Sequence, residues 1–259
     1  MARARGFSGL VGNDAFGGYV LQALASAGVD TSQIGRAQAR TAATSVLVRA
    51  DGARALLHRP GASREAFPRP IDFTPEIVAA CGHFHLANPF GLPLLRAHAG
   101  ETLRRARAAA LTTSLDSGWD SLGEWLDVIG PCFPHLDYFF LNEDELRMMG
   151  TIPSFLERGV GAVILKRGAE GCEVHAGNEA FHVPGCRVNV FDTTGAGDCF
   201  AGVFLAELQT GASLRQAARF ANAAAALNVQ SLGATTGLRP RAEVEAWMNS
   251  QPVTSVPSL

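Results

Sequence analysis

The residues best suited to chemistry lie in one stretch, Asp192–Asp198, which reads Asp-Thr-Thr-Gly-Ala-Gly-Asp. It follows a strand-like run, 187–190, and precedes an apolar run with helical spacing, 200–208, so its glycines lie at a strand-to-helix junction. Small residues at the start of a helix leave backbone N–H groups available, and the helix dipole favours an anion there. Asp198, at the end of this turn, is suited to accept a proton beside a phosphate. The alternative is a glycine-rich turn in which this aspartate only caps the helix.

A second pair of polar residues, Asn142 and Glu145, follows the apolar run 136–141, which is typical of a strand. Residues three apart on the first turn of a helix share one face. Their hard oxygen atoms suit magnesium, usually through its water ligands. The same residues also fit an acidic first turn that the helix dipole stabilises. Both interpretations stay open on the residues alone.

Residues 192–198 and the apolar helix after them resemble the second signature of the PfkB (ribokinase-like) carbohydrate kinases. The resemblance implies transfer of a phosphoryl group from ATP to a hydroxyl. It also implies that the amides of Gly195, Ala196 and Gly197 form the anion hole and that Asp198 is the base, in contact with the substrate.

The resemblance extends to the cofactors. Asn142 and Glu145 match the family's Asn-x-x-Glu motif, which implies Mg²⁺ bound mainly through water. Asp192 and Thr194 resemble positions that supply a monovalent-cation site in ribokinase-like enzymes, so K⁺ is a second expected ion.

Five further positions resemble the nucleotide side of the family. Lys166, Gly168 and Gly171 lie in a turn like the family's Gly-x-x-Gly segment, after the buried strand 162–165. Asn222 lies on an alanine-rich helix, and Gly233 lies in a loop like the one that covers the adenine. From the residues alone, Lys166 either reaches a phosphate or is simply solvated.

On the substrate side, Gly61 and Ala62 resemble a family segment near the sugar. His85 and Asn88 lie at the end of an apparent strand, where they could touch substrate. His83 and His85 share one strand face and could ligate a metal, but no Cys, Asp or Glu partner is evident, so a core or cleft-lining role is favoured.

Two β-like runs within residues 44–59 are separated by an Asp-Gly hairpin signal. By resemblance, these strands form a small lid over the sugar, and they offer a surface for a homodimer. A plain exposed hairpin is an equally good interpretation of the residues.

Strands alternate with helices along the chain, which predicts an α/β fold. We expect one ribokinase-like domain over residues 1–259, with a doubly wound, mostly parallel sheet and helices on both faces. A long helix is predicted over 92–110. Ligands should bind at the carboxyl ends of the strands, where the phosphate, magnesium and nucleotide motifs all lie.

Composition excludes several classes of function. The 259 residues carry a formal net charge of −2, which gives no electrostatic case for binding nucleic acid or an acidic membrane. The five cysteines are dispersed, as expected for reduced thiols in a cytoplasmic protein. The family resemblance implies a small-molecule sugar or nucleoside as the partner.

The resemblance begins late in the family's pattern. PfkB kinases start with a central strand that carries a substrate-binding Asp and then a Gly-Gly-x-x-x-Asn segment, and neither has a counterpart here. We therefore expect an N-terminally incomplete domain that lacks roughly 30 residues, about one strand–loop–helix unit, and is poorly folded or nearly inactive alone. The alternative function is a non-catalytic remnant that binds nucleotide.

Overall fold

The structure is a computed structural model that describes residues 6–48 and 54–250. The strands are β1 (Gly9–Gly12), β2 (Ile34–Ala37), β3 (Ala43–Val48), β4 (Arg54–Arg59), β5 (His83–Ala87), β6 (Thr112–Asp116), β7 (Tyr138–Asn142), β8 (Ala162–Lys166), β9 (Cys172–Ala176) and β10 (Glu179–Val183). The helices are α1 (Ala15–Ser26), α2 (Pro75–Ala80), α3 (Ala99–Ala108), α4 (Leu126–Ile129), α5 (Glu143–Met149), α6 (Ile152–Glu157), α7 (Ala196–Gln209), α8 (Leu214–Asn228) and α9 (Arg241–Ser250).

The chain divides into two compact units. The first unit comprises residues 1–113 and 117–135, and the second comprises 114–116 and 136–259. Strand β6 therefore begins in the first unit and ends in the second.

The first unit contains two small pairs of strands. β1 and β2 are parallel, and β3 and β4 are antiparallel, so the strands predicted within residues 44–59 are present. The Asp-Gly turn predicted between β3 and β4 lies outside the described residues. Strand β5 lies beside the first residues of β6, where the Thr112 N–H donates to the Gly82 carbonyl at 3.2 Å.

Helix α1 begins where the sequence predicts, because Asp14 caps it. One carboxylate oxygen accepts from the Gly17 N–H at 2.9 Å and from the Thr41 hydroxyl at 2.5 Å. The other oxygen accepts from the Thr41 N–H at 2.9 Å. The cap therefore fixes the start of the helix to the segment that precedes β3.

The second unit is built on a mixed sheet. β6, β7 and β8 are parallel, whereas β9 is antiparallel to both β8 and β10. The segment between β8 and β9 is only a tight turn, and a parallel pair would need a crossover of about a dozen residues or more. The α/β class is confirmed, with more antiparallel pairing than the predicted mostly parallel sheet.

Helices cover both faces of this sheet. Phe139 and Phe140 are consecutive on β7, so their side chains point to opposite faces. The Phe140 ring meets Phe204 of α7 with centroids 5.4 Å apart, and Phe139 meets Phe155 of α6 at 5.5 Å. One buried cluster packs α7 and α8 against strands β7 to β10, and it includes alanines of α8 such as Ala217.

The helix predicted over 92–110 is wrong in its first third. One short 3₁₀ turn, Arg96–His98, lies in that segment, and α3 begins only at Ala99. Pro93 disfavours helical geometry only in the residue before it, so it accounts for the loss of the first position and not for the rest. None of the helices in residues 6–48 and 54–250 is long and apolar enough to cross a membrane.

Candidate active site

The glycine-rich turn of the second unit leads into α7 as the sequence predicts, but the predicted strand over 187–190 is wrong. Those residues belong to no strand, and Val190 among them is exposed. Gly195 precedes α7 with a φ of +74°, in the left-handed region. A Cβ on Gly195 would lie 2.8 Å from Ala234 atoms, so only glycine fits there. The Ala196 N–H donates to the Thr193 carbonyl at 3.2 Å. The Ala196 N–H can therefore contribute to the predicted anion hole only if this hydrogen bond breaks.

A lysine ammonium lies beside this turn. Lys166 is the last residue of β8, and its Nζ donates to Asp116 Oδ2 at 2.5 Å. A Cβ built on Gly197 would lie 3.4 Å from the same Nζ. The turn of Gly195, Ala196 and Gly197, called here the glycine cradle, therefore faces a positive charge. Its backbone N–H groups and the Lys166 ammonium are donors that fit an anionic phosphate.

Asp198 occupies the first turn of α7, where the residue as a whole is exposed. Desolvation of its carboxyl group by the surrounding protein raises the pKa of this group above its ordinary value. The negative charge of Asp116 also raises the pKa, and the Lys166 ammonium lowers it. Asp198 thus combines access from solvent with a raised basicity, which suits proton transfer.

Asp192 organises the loop that leads into the cradle. Its Oδ1 accepts from the Thr194 N–H at 2.9 Å and from the Thr194 hydroxyl at 2.7 Å, and its Oδ2 accepts from the Gly233 N–H at 2.9 Å. At the end of α8, the Asn228 side chain donates to the carbonyl of Ala234, the residue after Gly233, at 3.0 Å. Asn228 Oδ1 is buried and has no hydrogen-bond partner within the described residues.

Asn142 and Glu145 come together as a capping box at the start of α5. Asn142 Oδ1 accepts from the Glu145 N–H at 2.9 Å, and Glu145 Oε2 accepts from the Asn142 N–H at 2.8 Å. This is the helix-terminus interpretation that the sequence left open. Within residues 6–48 and 54–250, no group of three or more His, Cys, Asp or Glu side chains is placed to hold a metal ion.

The nucleotide-side turn has strict backbone requirements. Gly168 and Gly171 both have positive φ values, +54° and +92°. A Cβ on Gly171 would lie 2.1 Å from the Val183 carbonyl oxygen. Asn222 is buried, and its side-chain amide donates to the Val183 and Pro184 carbonyls at 3.1 and 3.2 Å. Its side chain therefore joins α8 to the end of β10.

The predicted substrate residues lie in the first unit. Gly61 has a φ of +46° and packs against the Arg40 carbonyl, and Ala62 is completely buried. His85 is half-buried on β5. Asn88 is exposed, adopts the left-handed conformation, and accepts from the Gly91 N–H at 3.2 Å.

Asp116 makes a contact near the cradle that the sequence does not predict. The family resemblance favours a position in the cleft, and a capping role is an equally good interpretation. The structure gives its carboxylate to Lys166 instead. The available signal was positional, because Asp116 and Lys166 both end parallel strands whose carboxyl ends meet at one sheet edge.

Comparison with known proteins gives a consistent result. Residues 3–241 match the model of the pfkB family of carbohydrate kinases. The chain belongs to this family. The 2-dehydro-3-deoxygluconokinase of Bacillus subtilis is 27% identical, and the match covers 95% of this chain and 81% of that protein. The ATP-dependent ribose-1-phosphate kinase of Halopiger xanaduensis is 32% identical over 95% of this chain and 80% of that protein.

Solved structures of the pfkB family agree with the fold. A putative ribokinase II from E. coli, in complex with ATP and Mg²⁺, superposes with a TM-score of 0.78 and is 28% identical. The match covers 96% of this chain and 84% of that chain. The ribokinase-like fold is therefore confirmed, and relatives of this pfkB chain are ATP-dependent kinases of sugar substrates.

Proposed function

We propose that this protein transfers a phosphoryl group from ATP to a hydroxyl of a sugar or sugar-like substrate. One observation carries the proposal: the Asp198 carboxylate and the Lys166 ammonium lie together at the glycine cradle that begins α7. The family supports the same class of reaction. Base, cation and anion-binding backbone are the three groups that phosphoryl transfer requires.

In this proposal, Asp198 accepts the proton of the substrate hydroxyl as that oxygen attacks the terminal phosphorus. The new bond joins the substrate oxygen to phosphorus, and the bond from phosphorus to the ADP oxygen breaks. Lys166 and the N–H groups at the start of α7 balance negative charge on the phosphate oxygens. The raised pKa of Asp198 favours proton uptake.

ATP supplies the phosphoryl group, and the donor set of the cradle fits its phosphates. Asn142 and Glu145 are proposed to hold Mg²⁺, mainly through water. The relative solved with ATP and Mg²⁺ supports a magnesium requirement. Because both side chains also form the capping box of α5, their oxygen atoms have a fixed orientation toward the helix start.

A monovalent cation, K⁺ in the first instance, is proposed at the loop of Asp192 and Thr194. The Asp192 carboxylate already accepts three hydrogen bonds, so its role is to shape the loop. The buried, unpartnered Asn228 Oδ1 near this loop provides an oxygen atom of the type that such a cation binds.

The substrate class is proposed as a small sugar, sugar acid, sugar phosphate or nucleoside. Relatives act by name on 2-dehydro-3-deoxygluconate and ribose 1-phosphate. Gly61, Ala62, His85 and Asn88 remain the proposed substrate-side positions. The exposed leucine on each strand of the β3–β4 hairpin supports a homodimer through this lid, and the five free cysteines support a cytoplasmic location.

The test is a measurement of ADP formation with a panel of acceptors: fructose, ribose, ribose 1-phosphate, 2-dehydro-3-deoxygluconate and a nucleoside. We expect one acceptor to raise ADP formation well above the acceptor-free rate, with a phosphate ester as the second product by ³¹P NMR. If no acceptor does so while ADP still binds, the protein is a nucleotide-binding remnant and the kinase proposal is wrong.

A further inference from the structure

The Lys166–Asp116 ion pair links the carboxyl ends of two strands. Asp116 ends β6 and Lys166 ends β8, with β7 between them. Asp116 of β6 is paired with Phe140 of β7, and Lys166 of β8 is paired with Asn142 of β7. The lysine side chain therefore reaches across the end of β7. Both side chains are largely buried, with exposed fractions of 15% for Lys166 and 11% for Asp116.

Lys166 is the only lysine in the chain, and the other basic residues among the 22 are arginines. Arginine carries a planar fork that binds in fixed geometry, whereas lysine carries a compact ammonium on a flexible stem. Arginine therefore supplies all the other positive charges counted among these 22 basic residues. Lys166, which lies beside the cradle, instead has a small ammonium group that can move from a carboxylate oxygen to a phosphate oxygen.

Stability alone does not explain the pair. Desolvation of two charges offsets much of their attraction, so a buried ion pair is weak evidence for stabilisation. This pair also lies against functional groups rather than in the core. A Cβ on Gly197 would lie 3.4 Å from the lysine Nζ, and the charges of both Asp116 and Lys166 act on Asp198.

We infer that Asp116 is a positioning residue, which holds the Lys166 ammonium at the glycine cradle so that the lysine meets the phosphates already oriented. This inference rests on the proposed kinase function. It assigns Asp116 a role through Lys166 and no contact with the reacting atoms.

The arrangement predicts opposite effects on binding and on turnover. Without ligand, the site holds one ammonium and two carboxylates, Asp116 and Asp198. Removal of the Asp116 charge makes the site more attractive to an anionic nucleotide, so ADP should bind more tightly. The lysine then loses its fixed orientation, so kcat should fall. A purely structural role would weaken binding and turnover together.

The experiment compares wild type, Asp116→Asn, Lys166→Met and the double variant, with the exposed Asp127→Asn as the charge-matched control. ADP affinity is measured by calorimetry, and kcat is measured with the best acceptor. For Asp116→Asn we expect ADP to bind about threefold tighter or more while kcat falls about tenfold or more. For Lys166→Met we expect ADP to bind roughly tenfold more weakly.

The double variant isolates the coupling. If Asp116 acts through Lys166, adding Asp116→Asn to Lys166→Met should not lower kcat further, and should recover part of the lost ADP affinity. Lys166→Met alone leaves the Asp116 carboxylate unpaired and could unfold for that reason. The double variant removes both charges, so it should stay folded and still test the inference. Thermal transitions of all variants identify that case.

A spectroscopic measurement uses the single lysine. Protein labelled with ¹⁵N-lysine has one side-chain ammonium, so its signal reports Lys166 without assignment. We expect the signal to shift on addition of ADP and in Asp116→Asn, and to be unchanged in Asp127→Asn.

The inference is overturned if Asp116→Asn leaves kcat and ADP affinity within twofold of wild type, or weakens both in parallel. An additive loss of kcat in the double variant would also overturn it. If the wild type phosphorylates no acceptor, the proposed function fails, and ADP affinity and the lysine signal still decide whether Asp116 positions Lys166.

Discussion

Alanine substitution at two glycines of the cradle should have opposite consequences. Gly195 precedes α7 in the left-handed conformation, and Gly197 lies in the first turn of the helix. In Gly195→Ala the new methyl group meets the Ala234 backbone at 2.8 Å. In Gly197→Ala the nearest atom is Lys166 Nζ at 3.4 Å, an ordinary contact. The first variant should lose stability, and the second should lose phosphate binding.

The magnitudes follow from these contacts. A left-handed alanine costs roughly 1–2 kcal/mol, and overpacking against fixed backbone adds about 1–3 kcal/mol. The unfolding free energy of Gly195→Ala should therefore fall by about 2–5 kcal/mol. Gly197→Ala should stay within about 1 kcal/mol of wild type, because alanine is the better helix former. Its methyl group occupies the space beside the ammonium, so kcat/KM for ATP should fall roughly 100-fold.

Urea unfolding and initial-rate kinetics on the same preparations provide the assay. Gly202→Ala is the matched control, because Gly202 lies in the same helix and a Cβ there meets no atom within 4 Å. That variant should keep full activity and equal or higher stability. Wild-type kcat/KM in Gly197→Ala would refute placement of a phosphate in the cradle. Unchanged stability in Gly195→Ala would refute the packing argument.

Three further predictions concern ions and protons. Asn142→Ala and Glu145→Ala should each lower stability by about 1 kcal/mol through the lost cap and raise the Mg²⁺ concentration for half-maximal rate; an unchanged magnesium midpoint in both would remove them from the metal's shell. Because Asp198 must be deprotonated to act as a base, its raised pKa predicts that kcat/KM declines as pH falls through a pKa above that of an ordinary aspartate. Asp116→Asn removes a negative charge that raises this pKa, so it should move the decline to lower pH. A decline at the same pH in both proteins would contradict the assigned charges. Replacement of sodium by potassium should raise the rate, and equal rates in both salts would count against a cation site at Asp192.

Local chemistry was the part of this molecule that the sequence could predict. The helix that begins at the glycine-rich turn before Asp198, the strand that ends at Asn142 and the antiparallel strands within residues 44–59 all have strong local signals, and all are present. The strand predicted over 187–190 is absent. The family, the α/β fold and the kinase class follow from the same motifs. These features depend on residues within a few positions of one another.

Features that depend on distant residues were harder to predict. The ion pair of Asp116 and Lys166 joins positions 50 residues apart, and nothing near either residue selects the other. The hydrogen bond from Asn222 to the Val183 carbonyl likewise depends on how α8 packs on the sheet. The late start of α3 was not predicted, because the apolar residues that precede Ala99 keep helical spacing.

The central claim, that Asp198 is the base of a phosphoryl transfer, is tested most directly by Asp198→Asn. The substitution preserves shape and removes the proton acceptor, so kcat should fall by roughly 10²–10⁴, while the affinity for ADP stays within a few-fold of wild type. Calorimetry measures the ADP affinity, and the rate of ADP formation with the best acceptor gives kcat, both on one preparation. Retention of most of the wild-type kcat in this variant would contradict the account.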